Sequence, residues 1–245
     1  MHSIINNQDE LSYFLQADMR SCGLDHMTLR NWYLNPILRF QRYLRLTEFY
    51  YNTSISVGSR LLLYYNWNRL NRLRLRLSFT IPLNVFGPGL SISHYGTIVV
   101  NKHAVIGANC RIHPGVCIGG LNGKSPRIGN NVYIGPGVKI FGDITIGDNV
   151  AIGANTVVNK DVPMKVTVAG NPAEIISDKG SCELIVPGTE LVDQTNPDWQ
   201  MYRKAEVLAD KFPDAGNFKE PRSYDIDDWQ KSLLPEQDHH TRIDL

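Results

Sequence analysis

The 245-residue chain has four cysteines, Cys22, Cys110, Cys117 and Cys182, far apart and without a CxxC pair. That scarcity excludes a disulfide framework and a cysteine-built zinc site; it reads as reduced thiols in a cytoplasmic protein. Long apolar runs are missing too. Nothing in the chain approaches the roughly 18 consecutive apolar residues of a membrane span. The first twenty residues, MHSIINNQDELSYFLQADMR, hold no uninterrupted apolar core, so no signal peptide is expected. Acidic residues are nearly absent from 28–80, where Glu48 stands against nine arginines, whereas 177–245 has fifteen Asp or Glu against eight Lys or Arg. These stretches carry about +8 and −7 although the whole chain carries +1, which marks them as distinct regions. A hydrophobic content of 42% with 20% charged residues fits a globular protein, not a disordered or fibrous one.

What is present is a six-residue period between 100 and 162. One slot holds Val100, Ile106, Ile112 and Ile118, then Ile128, Ile134, Ile140, Ile146, Ile152 and Val158. Four places later a second slot holds Ala104, Cys110, Val116, Val132, Val138, Ile144, Val150, Thr156 and Val162. Neither the helical period of 3.6 nor the strand period of 2 produces this pattern. A hexapeptide repeat does, and it predicts an all-β core that is a parallel β-helix. Three units close a coil of about 18 residues, the aliphatic slots stack inward, and Gly, Asn and Asp take the turns. The pattern weakens before 100, so the coils are expected from about 81; they end where Pro163 and Pro172 interrupt, giving five coils or fewer.

After Ile118 the next slot arrives four residues late, at Ile128, so a loop bulges out within GGLNGKSPR. Loops on rigid scaffolds commonly carry function. The piece GGLNGKS falls one residue short of a phosphate-binding GxxxxGK[ST] motif and interrupts strands where that motif opens a helix, so a nucleotide loop is rejected.

The stretch from ISHYGTIVV to VAGNPAEII resembles the serine acetyltransferase family of the left-handed β-helix superfamily, most closely its branch that O-acetylates capsule and exopolysaccharide sugars. The likeness covers 81–176 well and reaches weakly to about residue 11 through LQADMRS and PILRFQRYLRLTEFYY. The organisation expected is a mainly helical, Arg-rich segment 1–80, a left-handed β-helix acetyltransferase domain 81–176 and an acidic extension 177–245. The resemblance makes His94 the general base: a hydroxyl is a poor nucleophile at neutral pH, and an imidazole with a pKa near 6.5 can take its proton. The competing reading is packing, because counting back by sixes puts His94 in an inward slot. His113, one coil plus one residue further on, is a weaker second candidate, and a solvent-facing turn histidine is its bland reading; His103 reads blandly as well.

The resemblance places acetyl-CoA along the prism edge between subunits of a homotrimer. The matching positions are Gly119 and Gly120 at the loop mouth, Pro136, Ala154 and Lys160, ending near Ala169 and Gly170. No metal and no nucleic-acid partner are expected. Members that act on serine have an aspartate before the histidine and an Asp-Arg-His triplet in the loop. Here the first position is Ser93 and the shortened loop has no such triplet, only a nearby Arg127. An amino-acid acceptor needs its two charges paired. The expected acceptor is therefore a sugar or polysaccharide precursor, with Ser93, Tyr95 and Asn101 as neutral partners; serine O-acetylation for cysteine biosynthesis is the alternative. A zinc enzyme of the same fold is disfavoured because His94, His103 and His113 lack the spacing of its ligands.

In NRLNRLRLRLSF, arginine and leucine alternate over 72–77, a strand-like pattern. The bland reading is a solvated face leading into the first coil; the sharper one is peripheral contact with the inner face of a membrane. In the tail, DWQMYRKAEVLADKF reads as a helix capped by Asp198.

Overall fold

The computed structural model describes residues 4–195. It opens with helices α1 (Gln8–Ser21), α2 (Leu29–Leu34), α3 (Pro36–Thr53) and α4 (Val57–Leu77). Each starts at a side chain that accepts an orphan N–H: Asn7 takes that of Glu10, Thr28 that of Asn31, Asn35 those of Ile37 and Leu38, and Ser56 forms a reciprocal capping box with Ser59. The Arg–Leu alternation at 72–77 therefore lies in α4, not in a strand. Arginine and leucine are both good helix formers. The spacing of Leu70, Leu73 and Leu77 puts those three on the core side, while Leu75 points outward.

Strands follow as β1 (Phe79–Thr80), β2 (Ser91–Ile92), β3 (Ile98–Val100), β4 (Val105–Ile106), β5 (Arg111–Ile112) and β6 (Cys117–Gly119). The later coils supply β7 (Arg127–Ile128), β8 (Tyr133–Ile134), β9 (Lys139–Phe141), β10 (Thr145–Ile146), β11 (Ala151–Ile152) and β12 (Val157–Val158). The last elements are β13 (Thr167–Ala169), β14 (Glu174–Ser177) and α5 (Gly188–Thr195). The strands pair in parallel on three faces: β1-β3-β6-β9-β12, then β4-β7-β10, then β2-β5-β8-β11-β13, to which β14 adds antiparallel. The result is a parallel β-helix of about five turns, the architecture expected from the six-residue period. The first-slot residues fill its axis; Ile106, Ile112, Ile134, Ile140, Ile146 and Ile152 are each fully buried.

The glycine after the aliphatic slot has a steric cause. A Cβ on Gly135 would stand 2.8 Å from the Ile152 carbonyl oxygen and 3.0 Å from the Ala154 nitrogen, so the next coil passes too close for a side chain. Asn109, Asn131 and Asn149 stack at another corner with φ of 55°, 55° and 59°. Their side-chain amides bond in a ladder, Asn109 to Asn131 at 2.8 Å and Asn131 to Asn149 at 3.1 Å.

The helices are not a separate layer. One continuous core runs from Ile37, Phe40 and Leu44 of α3 through Leu70 and Leu77 of α4 into the prism as far as Val168. Arg45, fully buried, ties them together. Its guanidinium donates to Asp18 at 2.8 Å, to Glu48 at 3.0 Å and to the Phe86 and Gly87 carbonyls of the first coil. Asp18 in turn accepts Leu90 N–H, and Glu48 accepts Asn84 N–H. Burial pushes both carboxyls up against the pull of Arg45.

After β14 the chain climbs back along the asparagine corner. Ser181 Oγ donates to the Asn131 carbonyl, Ser181 N–H donates to the Asn149 carbonyl, and Thr189 pairs with Asn109. The helix α5 then packs on α1, with Val192 in a small core beside Leu11, Phe14 and Ala17. The first part of the acidic extension is thus a strap on the prism. The helix expected at DWQMYRKAEVLADKF lies outside the described residues.

Candidate active site

His94 owes its position to a slip in the repeat. Ile92 pairs with Ile112 and Val100 with Ile118, so eight residues on the first coil match six on the second. The corner between β2 and β3 therefore holds two extra residues. Counting back by sixes from Val100 misses them; the inward slot is Ile92, and His94 is exposed on the bulge. Gly96 turns the bulge at φ 135°, and its N–H donates to the Leu77 carbonyl at 3.2 Å, so the end of α4 braces the corner.

Beneath His94 stands His113, the same corner one coil on, with ring centroids 6.5 Å apart. Tyr133 packs on the other side of His113 at 5.1 Å. Ser93 Oγ lies 3.2 Å from His113 Nε2, and Arg111 Nε donates to the same Oγ at 3.2 Å. Arg111 can only donate and so occupies one acceptor site of the Ser93 hydroxyl; the direction of the contact between Ser93 Oγ and His113 Nε2 follows the imidazole tautomer. The neutral ring is favoured: desolvation first, then the positive charge of Arg111 and the neighbouring His94, pull the His113 pKa below its ordinary value. Arg111 is held from behind by the strap, its Nη1 donating to the Leu184 carbonyl at 3.3 Å.

The remaining sequence candidates fall at two corners. Pro136, Ala154, Ala169 and Gly170 lie at the corner of His94 and His113. There Gly137 N–H donates to Pro114, Asn155 N–H to Pro136 and Val157 N–H to Gly170, each bond joining one coil to the next. Tyr95 is exposed on the bulge itself. Gly119, Gly120, Lys160 and Asn101 sit at the next corner around the prism. Asn101 there accepts from Ser125 Oγ at 3.0 Å and from His103 N–H at 2.8 Å, so the structure does not bring it to His94. The loop is the four-residue insertion expected: Ile106 pairs with Ile128 across 22 residues, against 18 between Ile128 and Ile146. Its tip, Leu121 to Lys124, turns on Asn122 and Gly123, both at positive φ, as an Asn-Gly pair favours. Among the described residues no three His, Cys, Asp or Glu side chains converge as a metal-ligand group.

Arg111 is the residue of this corner that reading the sequence missed. The signal was there, since it lies two residues before His113 and 18 after Ser93, about one coil. Only the slip in register shows that its side chain leans back onto Ser93.

Prism, loop and stacked corner together make a hexapeptide-repeat β-helix. A family profile described as "Bacterial transferase hexapeptide (six repeats)" matches residues 125–160. A serine acetyltransferase of Synechococcus elongatus is 42% identical over 98 residues, which is 38% of this chain and 40% of that protein. The crystal structure of a Brucella abortus serine acetyltransferase in complex with coenzyme A superimposes with a TM-score of 0.53 at 32% identity, covering 71% of this chain and 70% of that one. A Neisseria gonorrhoeae serine acetyltransferase in complex with serine gives 0.51 at 28% identity, covering 69% and 70%. The chain belongs to the serine acetyltransferase-like hexapeptide-repeat transferases. It spans less than half the length of the curated relatives it matches.

These likenesses overturn the expectations of a sugar acceptor and of membership in the polysaccharide-modifying branch, because the relatives are named for serine. The physical premise also fails. The missing loop triplet by itself leaves a carboxylate without a cation, whereas in the structure Arg111 brings a guanidinium to Ser93 from the adjacent coil.

Proposed function

We propose that this chain is an acetyl-CoA-dependent O-acetyltransferase whose acceptor is serine, with His94 as general base. The observation that carries the reading is the bulged corner: it lifts His94 out of the core onto the protein surface, above a polar cluster of Ser93, His113 and Arg111 that packing alone does not require. His94 takes the proton of the acceptor hydroxyl as its oxygen attacks the thioester carbonyl. When the tetrahedral adduct collapses, the carbon–sulfur bond breaks and the imidazolium returns the proton to the coenzyme A sulfur, leaving the acetyl ester. Arg111, anchored by Leu184 and Ser93, supplies the positive charge for the acceptor carboxylate. His113, kept neutral, adds a hydrogen bond through Ser93 without competing as a cation.

Acetyl-CoA is expected along the stacked corner of Pro136, Ala154, Ala169 and Gly170, where small residues leave backbone groups open to it. Gly119, Gly120 and Lys160 occupy the neighbouring corner of the same chain. In a homotrimer that corner of one subunit would face the His94 corner of the next, which supports a site shared between subunits. The test is direct: purified protein is incubated with acetyl-CoA and L-serine, thiol release is followed, and the product is identified by mass. O-acetylserine formed at a rate well above thioester hydrolysis supports the reading. Hydrolysis unchanged by serine refutes it.

A further inference from the structure

Helix α4 has two sides that obey different rules. Asn66, Leu70 and Leu77 face the core and are buried. Opposite them, at helical spacing, Val57, Leu61, Tyr64 and Leu75 point into solvent; Leu61 is 67% exposed, Tyr64 57% and Leu75 84%. Between and beside these residues stand Arg60, Arg69, Arg72 and Arg76, all exposed, and α4 contains no acidic residue. The one acid of residues 28–80, Glu48, is buried against Arg45 and so does not neutralise that face.

The same character continues onto α2. That short helix buries none of its residues and exposes Leu29, Tyr33 and Leu34. Both helices touch Tyr43 of α3: Trp32 of α2 packs on that ring at 5.8 Å and Arg69 of α4 sits over it at 5.7 Å.

We infer that the outer face of α4, joined by the exposed side chains of α2, docks in the plane of an anionic lipid surface. A merely solvated helix carries few exposed leucines and interleaves charges of both signs. Here an apolar and aromatic stripe is flanked by arginines alone, the composition of an interfacial helix that sinks its apolar side chains and places cations at the lipid phosphates. A second copy of the same face is a poor occupant. It would oppose arginine to arginine with no acid to pair them. No described helix is long and apolar enough to cross a bilayer, so the contact would be adsorption, not insertion. The geometry also joins this surface to the bulged corner, since α4 ends where Leu77 and Ser78 accept the N–H groups of Gly96 and Ile98. The inference rests on α4 and α2 and does not depend on the acyl acceptor.

Flotation of the full chain tests it, with phosphatidylcholine vesicles and with vesicles containing about one-third phosphatidylglycerol. Binding is expected to the anionic vesicles only, and to fall as salt is raised. Each arginine near the surface should contribute about fivefold in partitioning, so Arg72→Gln with Arg76→Gln should lose about 25-fold. Leu61→Ser with Leu75→Ser should weaken binding at every salt concentration. Far-ultraviolet circular dichroism of each variant establishes that the helices persist. No flotation of the folded wild type with anionic vesicles at low salt overturns the inference. So does flotation that both folded double variants retain in full, and so does a change of sedimenting species in the arginine variant without any lipid binding, which would assign the face to contacts between copies.

Discussion

The lower coils and the first coil are built from the same repeat and do opposite things. From Ile128 to Val158, eighteen-residue steps superimpose strand on strand, with Ile128 on Ile146, Ile134 on Ile152 and Ile140 on Val158. The first-slot side chains there, Ile128 to Val158, are all buried in the stack. The first coil breaks the repeat with two extra residues, relies on the end of α4 and on β1 as the neighbour of β3 and on Arg45 for closure, and exposes His94. Regularity supplies rigidity, and the departure from it brings the proposed base to the surface. A histidine held on a bulge above a stiff prism keeps its geometry without being buried by it.

The contrast can be broken at its strongest point first. Arg45→Ala leaves the Asp18 and Glu48 carboxyls and two first-coil carbonyls buried without their partner, and should cost about 3–5 kcal/mol. Ile134→Ala in the regular stack removes only apolar contact and should cost about 2–5 kcal/mol. Urea unfolding measures both. The sharper distinction is functional: the Arg45 variant should also lose turnover below its unfolding midpoint, because it loosens the coil that carries His94, whereas the Ile134 variant should keep it. Equal turnover in the two folded variants would remove the distinction between the regions.

Arg111→Gln should leave the fold intact and raise KM for L-serine about 10–100-fold, the worth of a charge-assisted hydrogen bond, with a smaller change in kcat. For ethanolamine, which lacks the carboxylate, the same variant should match wild type. An equal effect on both acceptors would make Arg111 a support for Ser93 and nothing more.

A smaller effect concerns pH. The His113 pKa is lowered in the fold, so as pH falls the unfolded chain binds its proton first. Stability from this group is therefore unaffected above about pH 6.5 and declines as pH drops toward the folded value. His113→Gln keeps a hydrogen-bond partner for Ser93 and should flatten that decline. The smallest predicted difference is between thiols. Burial pushes Cys110 up to about 12, whereas Cys182 is exposed, so a thiol reagent at neutral pH should label Cys182 and spare Cys110 in the folded protein.

Most of the prism was legible in the sequence because its cause is local. An isoleucine or valine every six residues states which side faces the axis, and the glycine after Ile106, Ile128, Ile134 and Ile146 states where the next coil comes too close for a Cβ. The four-residue loop was legible for the same reason. The two-residue slip was not, since a repeat that starts irregularly gives no register to count from, and His94 was placed inward by arithmetic that the bulge invalidates. The Arg–Leu stretch misled through a coincidence of periods: alternation over six residues fits a strand, but the Ser56 cap and the spacing of Leu70, Leu73 and Leu77 decide for a helix. The spacing of Arg111 was readable, but its contacts and the strap over it were not, because the contacts of Ser93 with the next coil and of Leu184 with Arg111 depend on register and on a chain reversal that no local pattern encodes.

The central claim is that the bulged corner, and not the regular stack, carries the base. The measurement that tests it most directly is the steady-state turnover of His94→Ala with acetyl-CoA and L-serine, paired with coenzyme A affinity by calorimetry. Loss of general-base catalysis should lower kcat by about 10²–10⁴ while affinity for coenzyme A stays within about twofold, since the base acts on the acceptor hydroxyl. Turnover near that of wild type in the His94 variant, with the loss appearing instead in His113→Ala, would contradict the account and move the base one coil down.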